Sequence, residues 1–359
     1  MVLLLELFFM QIDLDKIASS TLNAELSRSV MLSPEIPACR GTVLAVRVLD
    51  EKTRYNEVED PNGRMMVVHR GDVLAGVLGG RRALRGYTGD VPESVRVGDV
   101  LHLLNKGGVI GQCTSHSPVV GPPARVEVLG AVLSLSDRGE PVPASIERGP
   151  VRPLDALPEA LPPIVLLAGT CMHAGKTAAA CALIRQASIR GLRVGAAKVA
   201  GVALRRDSLE MRDHGAREIC TFADAGLPST CDVDPVPVAR GCLAYLAERD
   251  VDLIVVELGD GLLGEYGVRA LIEELAPVAA AVVLSANDPV AAWGGVQLLA
   301  QMGVDTTLIT GPATDNSAGG EAIAGLQVPA VNARTEPERL GAELLDPLFP
   351  PSPMLRVLP

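Results

Sequence analysis

Two rhythms of apolar and polar positions divide the chain. In the first part apolar residues come in short runs: GTVLAVRVL (41–49), RMMVVHR (64–70), DVLAGVL (72–78), DVLHLL (99–104) and ARVEVLGAVLSL (124–135). Gly, Pro, Asn and Asp punctuate them, a pattern that predicts short strands closing into a small β-barrel or sandwich. Gly71-Asp72-Val73-Leu74 recurs as Gly98-Asp99-Val100-Leu101, which reads as two similar turns entering strands rather than as a repeat. Residues 11–37 read as a helix plus loop. From residue 163 the rhythm changes. PIVLLAG (163–169), LRVGAAKV (192–199), DLIVVEL (252–258), AAAVVLS (279–285) and DTTLIT (305–310) are continuous apolar runs. They alternate with helical stretches such as the Ala-rich 176–190 and the polar 205–220. Strands apolar on both faces, alternating with helices, predict a parallel α/β sheet.

Seven prolines between Pro141 and Pro163 separate the two rhythms, a composition that resists helix and ladder and acts as an extended connector. The expected organisation is an N-terminal segment (1–37), a β-rich domain (38–140), the connector (141–163), an α/β domain (164–335) and a tail (336–359) that ends in an irregular Pro-rich stretch.

Composition narrows the picture. Of the 359 residues 48% are hydrophobic but only 3% aromatic, so the cores are aliphatic. A net charge of −11 argues against nucleic acid as the main partner. No apolar run reaches the ~18 residues of a membrane span. The start, MVLLLELFFM, contains Glu6 and lacks a basic flank and a small-residue cleavage site. It reads as a buried first strand, or as an over-extended start with Met10 as the initiator. Seven cysteines without a CxxC pair or a Cys/His ladder point to a reducing cytoplasm and away from a disulfide framework or a structural zinc site.

The chemistry concentrates in Gly169-Thr170-Cys171-Met172-His173-Ala174-Gly175-Lys176-Thr177. It follows a buried strand and opens a helix, the context of a phosphate-binding loop. Its backbone N–H groups would cradle phosphate oxygens, Lys176 would bridge the β- and γ-phosphates, and the Thr177 hydroxyl would sit on Mg²⁺. Cys171 and His173 read as loop positions that contribute backbone donors rather than catalysis. Lys198 ends the second α/β strand, where ligands of open parallel sheets bind. It reads as a ligand contact, the alternative being a pair with a nearby carboxylate. Glu257 ends the strand LIVVEL and reads as a metal-holding carboxylate. Asp207 and Asp213 could supply another, while Arg205 and Arg206 could meet an anion or solvent. Asn287-Asp288 could read a base or cap the next helix.

Gly-Thr-x-x-x-x-Gly-Lys-Thr with this spacing resembles dethiobiotin synthetase and its relatives among the P-loop amidoligases and cobalamin-pathway ligases. Ala197-Lys198-Val199-Ala200-Gly201 is similar to that group's Lys-Pro-Val-x-x-Gly, and Val256-Glu257-Leu258-Gly259-Asp260-Gly261 to its Val-Glu-Gly-Ala-Gly-Gly. The resemblance implies ATP and Mg²⁺ as cofactors, with Thr177, Asp213 and Glu257 as metal ligands. It implies Lys176 and Lys198 around the transferred phosphate. The chain departs from the pattern at Leu258 and Asp260, where small residues are expected, and at Cys171, where the group has an acidic residue. The resemblance covers only residues 163–335. A second one links this half to the P-loop domain of D-glutamate N-acetyltransferase-type proteins, whose loop serves acetyl-coenzyme A and whose first domain is expected to be α/β.

The fold class expected is thus α/β, a parallel-sheet P-loop NTPase domain preceded by a smaller β-rich domain. The function expected is ATP-dependent activation of a small carboxylate or carbamate for ligation, in the cytoplasm and away from membranes. A homodimer is compatible with it. The alternatives are a coenzyme A-dependent N-acyltransferase and a nucleotide-switched accessory protein or metallocofactor chaperone.

Overall fold

The computed structural model describes residues 10–350. The strand expected at the extreme N-terminus falls, apart from Met10, outside them, as do the last residues of the tail. The chain forms two compact units. Of the described residues, the first holds those up to Pro150 together with Val202–Arg206 and Phe222–Asp232, and the second holds the others.

Among the described residues thirteen strands build the first unit: β1 (Met10–Asp13), β2 (Lys16–Ile17), β3 (Ser29–Ser33), β4 (Val43–Val48), β5 (Glu57–Glu59), β6 (Met65–Val67), β7 (Val73–Leu78), β8 (Arg81–Arg82), β9 (Tyr87–Asp90), β10 (Val100–Leu103), β11 (Val109–His116), β12 (Ala124–Leu135) and β13 (Pro141–Pro143). Pairing runs β12–β4–β7–β11–β10 and back to β12, so five strands close into a barrel without a free edge. Strand alternation explains its two cores. Leu44, Val46 and Val48 of β4 join Leu74, Leu78, Leu101, Ile110 and Val126 in one cluster. The intervening Val43 and Ala45 join Ala75, Val77 and Val132 in another, which Val30 and Leu32 of β3 complete. The two Gly-Asp turns are alike in detail. Gly71 and Gly98 are left-handed, and the following Asp72 and Asp99 each accept, at 2.7 Å, the N–H three residues earlier. Residues 11–37 form β1, β2, a 3₁₀ turn (Ser19–Ala24) and β3 instead of the expected helix. The buried positions Val30 and Leu32 flank exposed Met31, a period of two that suits a strand between β1 and β12 and not a helical face.

The second unit is a six-stranded parallel sheet in the order β16–β15–β17–β14–β18–β19. Its strands are β14 (Ile164–Gly169), β15 (Val194–Lys198), β16 (Ala216–Thr221), β17 (Leu253–Glu257), β18 (Ala281–Ser285) and β19 (Leu308–Thr310). The helices are α1 (Lys176–Ile189), α2 (Arg206–Asp213), α3 (Val236–Ala247), α4 (Val268–Leu275), α5 (Pro289–Gln301), α6 (Ser317–Ile323) and α7 (Pro337–Leu345). β14 is wholly buried between β17 and β18. Val165 and Leu167 pack on Ala180, Leu183 and Ile184 of α1 and on Leu340 and Leu344 of α7. Two local expectations need correcting. The polar stretch 205–220 stops being helical at Asp213 and becomes the edge strand β16, where Ala216 and Cys220 face the core. Residues 337–345, taken as part of a tail, form α7, because Leu340, Leu344 and Leu345 share one helical face.

The fold is therefore mixed α/β: a parallel sheet preceded by a β-barrel unit. Among the described residues no helix is long and apolar enough to cross a membrane.

Candidate functional site

The parallel sheet sets the site's position. β14 stops at Gly169 in mid-sheet, and the chain crosses into α1 through residues 170–175 at the carboxyl edge, where such sheets bind ligands. Two loop residues are left-handed, His173 at φ 61° and Gly175 at φ 94°. The turn they produce leaves backbone donors unused. From Cys171 to Thr177 no backbone N–H meets an acceptor among the described residues. Consecutive free N–H groups leading into a helix N-terminus form an anion cradle.

Lys176 lies beneath that cradle. Only 6% exposed, its Nζ donates to the carbonyls of Cys171 (3.0 Å) and Asp260. Burial pushes its pKa down. The carboxylate of Glu257 opposes that shift, and the second ammonium of Lys198 adds to it. A positive charge held by carbonyl dipoles in a dry setting is stabilised further when an anion arrives.

Glu257 and Lys198 end adjacent strands in register with one another. Glu257 is 2% exposed. Its Oε1 accepts the Thr177 hydroxyl at 3.2 Å and lies 3.9 Å from Lys198 Nζ. Its Oε2 is buried with no hydrogen-bond partner among the described residues. Burial pushes this carboxyl above its usual range, against the pull of Lys198. Lys198, 9% exposed, places its Nζ on Asp207 in the first turn of α2. The sequence left ligand contact and carboxylate pairing open for Lys198, and pairing is what the structure contains. Asp213 stands apart, exposed at the last turn of α2. Two lysines and two carboxylates thus meet at the loop, with Asp207 rather than Asp213 as the second acid.

The other sequence candidates separate. Asp288 caps α5 by accepting the N–H of Ala291 at 2.9 Å, whereas the Asn287 amide turns toward the sulfur of Cys171. His173 is exposed, Thr170, Met172 and Gly175 are partly buried, and Ala174 is buried. Arg205 belongs to the barrel unit, where its backbone N–H meets Glu59 at 2.6 Å. Among the described residues no three His, Cys, Asp or Glu side chains gather as a metal cluster.

Tertiary contact adds residues that spacing did not single out. The hydroxyls of Thr170 and Ser285 are buried without a partner among the described residues, and the Thr170 N–H donates to the Ser285 carbonyl at 2.9 Å. Gly261 backs the loop: a Cβ there would stand 2.6 Å from Cys171 Cα. Gly311 backs it from β19, where a Cβ would stand 2.2 Å from the Ala174 carbonyl oxygen. A Gly-rich segment after Glu257 was a visible signal for the first. Gly311 follows a strand of only three residues and carried no signal.

No family model matches the chain, and no curated protein matches it. Solved structures that do include the Signal Recognition Particle 54 kDa protein from Aeropyrum pernix K1 in complex with GDP. It is 21% identical with a TM-score of 0.37 over 52% of this chain and 47% of that one. Chloroplast FtsY from Physcomitrella patens is 16% identical with a TM-score of 0.37 over 52% of this chain and 67% of that one. Cell division protein FtsY from Thermotoga maritima is 16% identical with a TM-score of 0.36 over 56% and 73%. The chain spans about half, 47%, of the length of the first of these. Likeness at this distance carries no functional assignment. The class is defined by the chain's own fold and sequence: a parallel α/β unit with a loop of the P-loop sequence pattern between its central strand and first helix, preceded by a β-barrel unit.

Proposed function

We propose that the second unit binds ATP with Mg²⁺ at Gly169–Thr177 and uses it to activate a small carboxylate or carbamate for ligation. The observation that carries this reading is the run of unused N–H groups from Cys171 to Thr177 above the buried ammonium of Lys176. Such an arrangement is complementary to a polyphosphate. The donor set also fits a hard divalent cation, because the Thr177 hydroxyl and the Glu257 carboxylate lie side by side and Oε2 of Glu257 has no other partner among the described residues. Bound there, Mg²⁺ neutralises phosphate charge. The protein's own groups do the rest. The loop N–H groups fix the phosphate chain, and Lys176 moves from carbonyl to phosphate oxygen. Lys198, released in part from Asp207, meets the negative charge that develops on the transferred group.

The β-barrel first unit bears on the acyltransferase alternative, since the proteins that motivate it are expected to begin with an α/β domain. The experiment is calorimetric titration of ATP, GTP and coenzyme A onto the wild-type chain and Lys176→Ala, with and without Mg²⁺. Expected is Mg²⁺-dependent ATP binding that is lost in Lys176→Ala at an unchanged circular dichroism spectrum. Binding of coenzyme A or GTP in preference to ATP overturns the ATP assignment, and equal affinity in Lys176→Ala overturns the loop assignment.

A further inference from the structure

Arg81 is a buried cation whose partners are all neutral. Its residue is 4% exposed in the barrel unit, and Nη1 donates to the Tyr55 hydroxyl at 2.7 Å and to the Leu104 carbonyl. The rings of Tyr55 and Tyr87 lie 5.6 and 5.9 Å from Cζ and meet each other edge to face at 5.1 Å. Tyr55 is held at φ 55°, a conformation that a tyrosine rarely adopts. Glu57 pairs with Lys106 at 2.7 Å, and Glu59 accepts the Arg205 N–H on one oxygen while its other oxygen is buried without a hydrogen-bond partner among the described residues. Arg81 itself forms no ion pair among the described residues.

Two donors remain. Nε of Arg81 and the hydroxyl of Tyr87 are both buried with no hydrogen-bond partner among the described residues. Gly86 leaves Nη2 clear of a side chain, since a Cβ there would stand 2.9 Å from it. A desolvated charge with unused donors is costly unless an acceptor completes it.

We propose that Arg81 and Tyr87 form a binding site for a small carboxylate ligand in the barrel unit. With Nη1 already committed, Nε–H and Nη2–H are the side-on fork that matches the two oxygens of a carboxylate. The Tyr87 hydroxyl supplies a further donor. Charge selects the ligand class. The site offers one uncompensated positive charge, because Lys106 is neutralised by Glu57, so a monoanion fits better than a phosphate dianion.

The test titrates acetate, lactate and inorganic phosphate onto the full chain carrying Lys176→Ala, so that the phosphate loop does not contribute. Expected is saturable carboxylate binding that exceeds phosphate binding. Arg81→Lys, which keeps the charge and loses the fork, weakens it about tenfold or more, and Tyr87→Phe weakens it several-fold. Absence of carboxylate binding, tighter binding of phosphate, or affinity unaltered by Tyr87→Phe overturns the site. If Arg81→Lys does not fold, Tyr87→Phe decides alone.

Discussion

Replacing Lys198 by Met tests the charge arrangement at the sheet edge. The side chains of Asp207 and Glu257 are 15% and 3% exposed, and both lie within ion-pair distance of Lys198 Nζ. Met preserves most of the volume and removes the ammonium, which leaves two sequestered carboxylates with Lys176 as the remaining cation at the loop. Breaking a buried pair from one side costs about 3–5 kcal/mol. Here Asp207 keeps some solvent and Glu257 can take up a proton, so the expected loss at neutral pH is about 3 kcal/mol, or roughly 6–12 °C in melting temperature for a unit of this size. The loss is pH-dependent with a definite sign. Burial already raises the Glu257 carboxyl above its usual value, and Lys198 is the first group opposing that rise. Without Lys198 the folded-state pKa climbs further. A group whose folded pKa is raised gives stability that is present below its unfolded pKa and lost as pH rises. The deficit of Lys198→Met therefore widens as pH rises above the ordinary glutamate range. Urea unfolding of wild type, Lys198→Met, Asp207→Asn and the double variant reads this out, and the double variant should recover part of the loss. A midpoint for Lys198→Met that stays at the wild-type value across that range would refute the reasoning and return Lys198 to a purely ligand-facing role.

Three further outcomes follow from local geometry. Gly261→Ala drives a methyl to within 2.6 Å of Cys171 Cα, so the loop must shift, and nucleotide affinity should fall about tenfold or more in a direct titration; unchanged affinity would separate Gly261 from the loop's function. Asp288→Ala removes the α5 cap and should cost about 1 kcal/mol in urea unfolding, with Asp288→Asn close to wild type. Arg193 holds Asp252 by its backbone N–H at 2.8 Å and by Nη2 at 2.6 Å, which lowers that carboxyl to about 2. This stability is present above the ordinary aspartate pKa and is lost as pH falls through about 2. Asp252→Asn should therefore cost about 1 kcal/mol at neutral pH and converge with wild type in acid, and a constant difference across the titration would contradict the assignment.

Local pattern by itself determined the classes of element. The strand 124–135 is β12 to the residue, and the run ending at Gly169 is β14, because alternation and continuous apolar runs record which faces are buried. The loop Gly169–Thr177 was legible for the same reason, its chemistry being contained in one contiguous strand–turn–helix. What tertiary contacts decide was not legible. Spacing favoured Asp213 over Asp207, yet the first turn of α2 puts Asp207 on Lys198 and leaves Asp213 on the surface at the other end of the helix. Residues 29–33 became strand β3 because Ala131 and Val132, in the later half of β12, offered it backbone partners, a fact outside its own sequence. Gly311 meets the loop only after β19 has paired with β18. Arg81 is buried with Tyr55 and Tyr87, which come from two other segments of the barrel unit. In each case the deciding term is a tertiary contact, where packing and desolvation outweigh local preference and no local pattern carries the information.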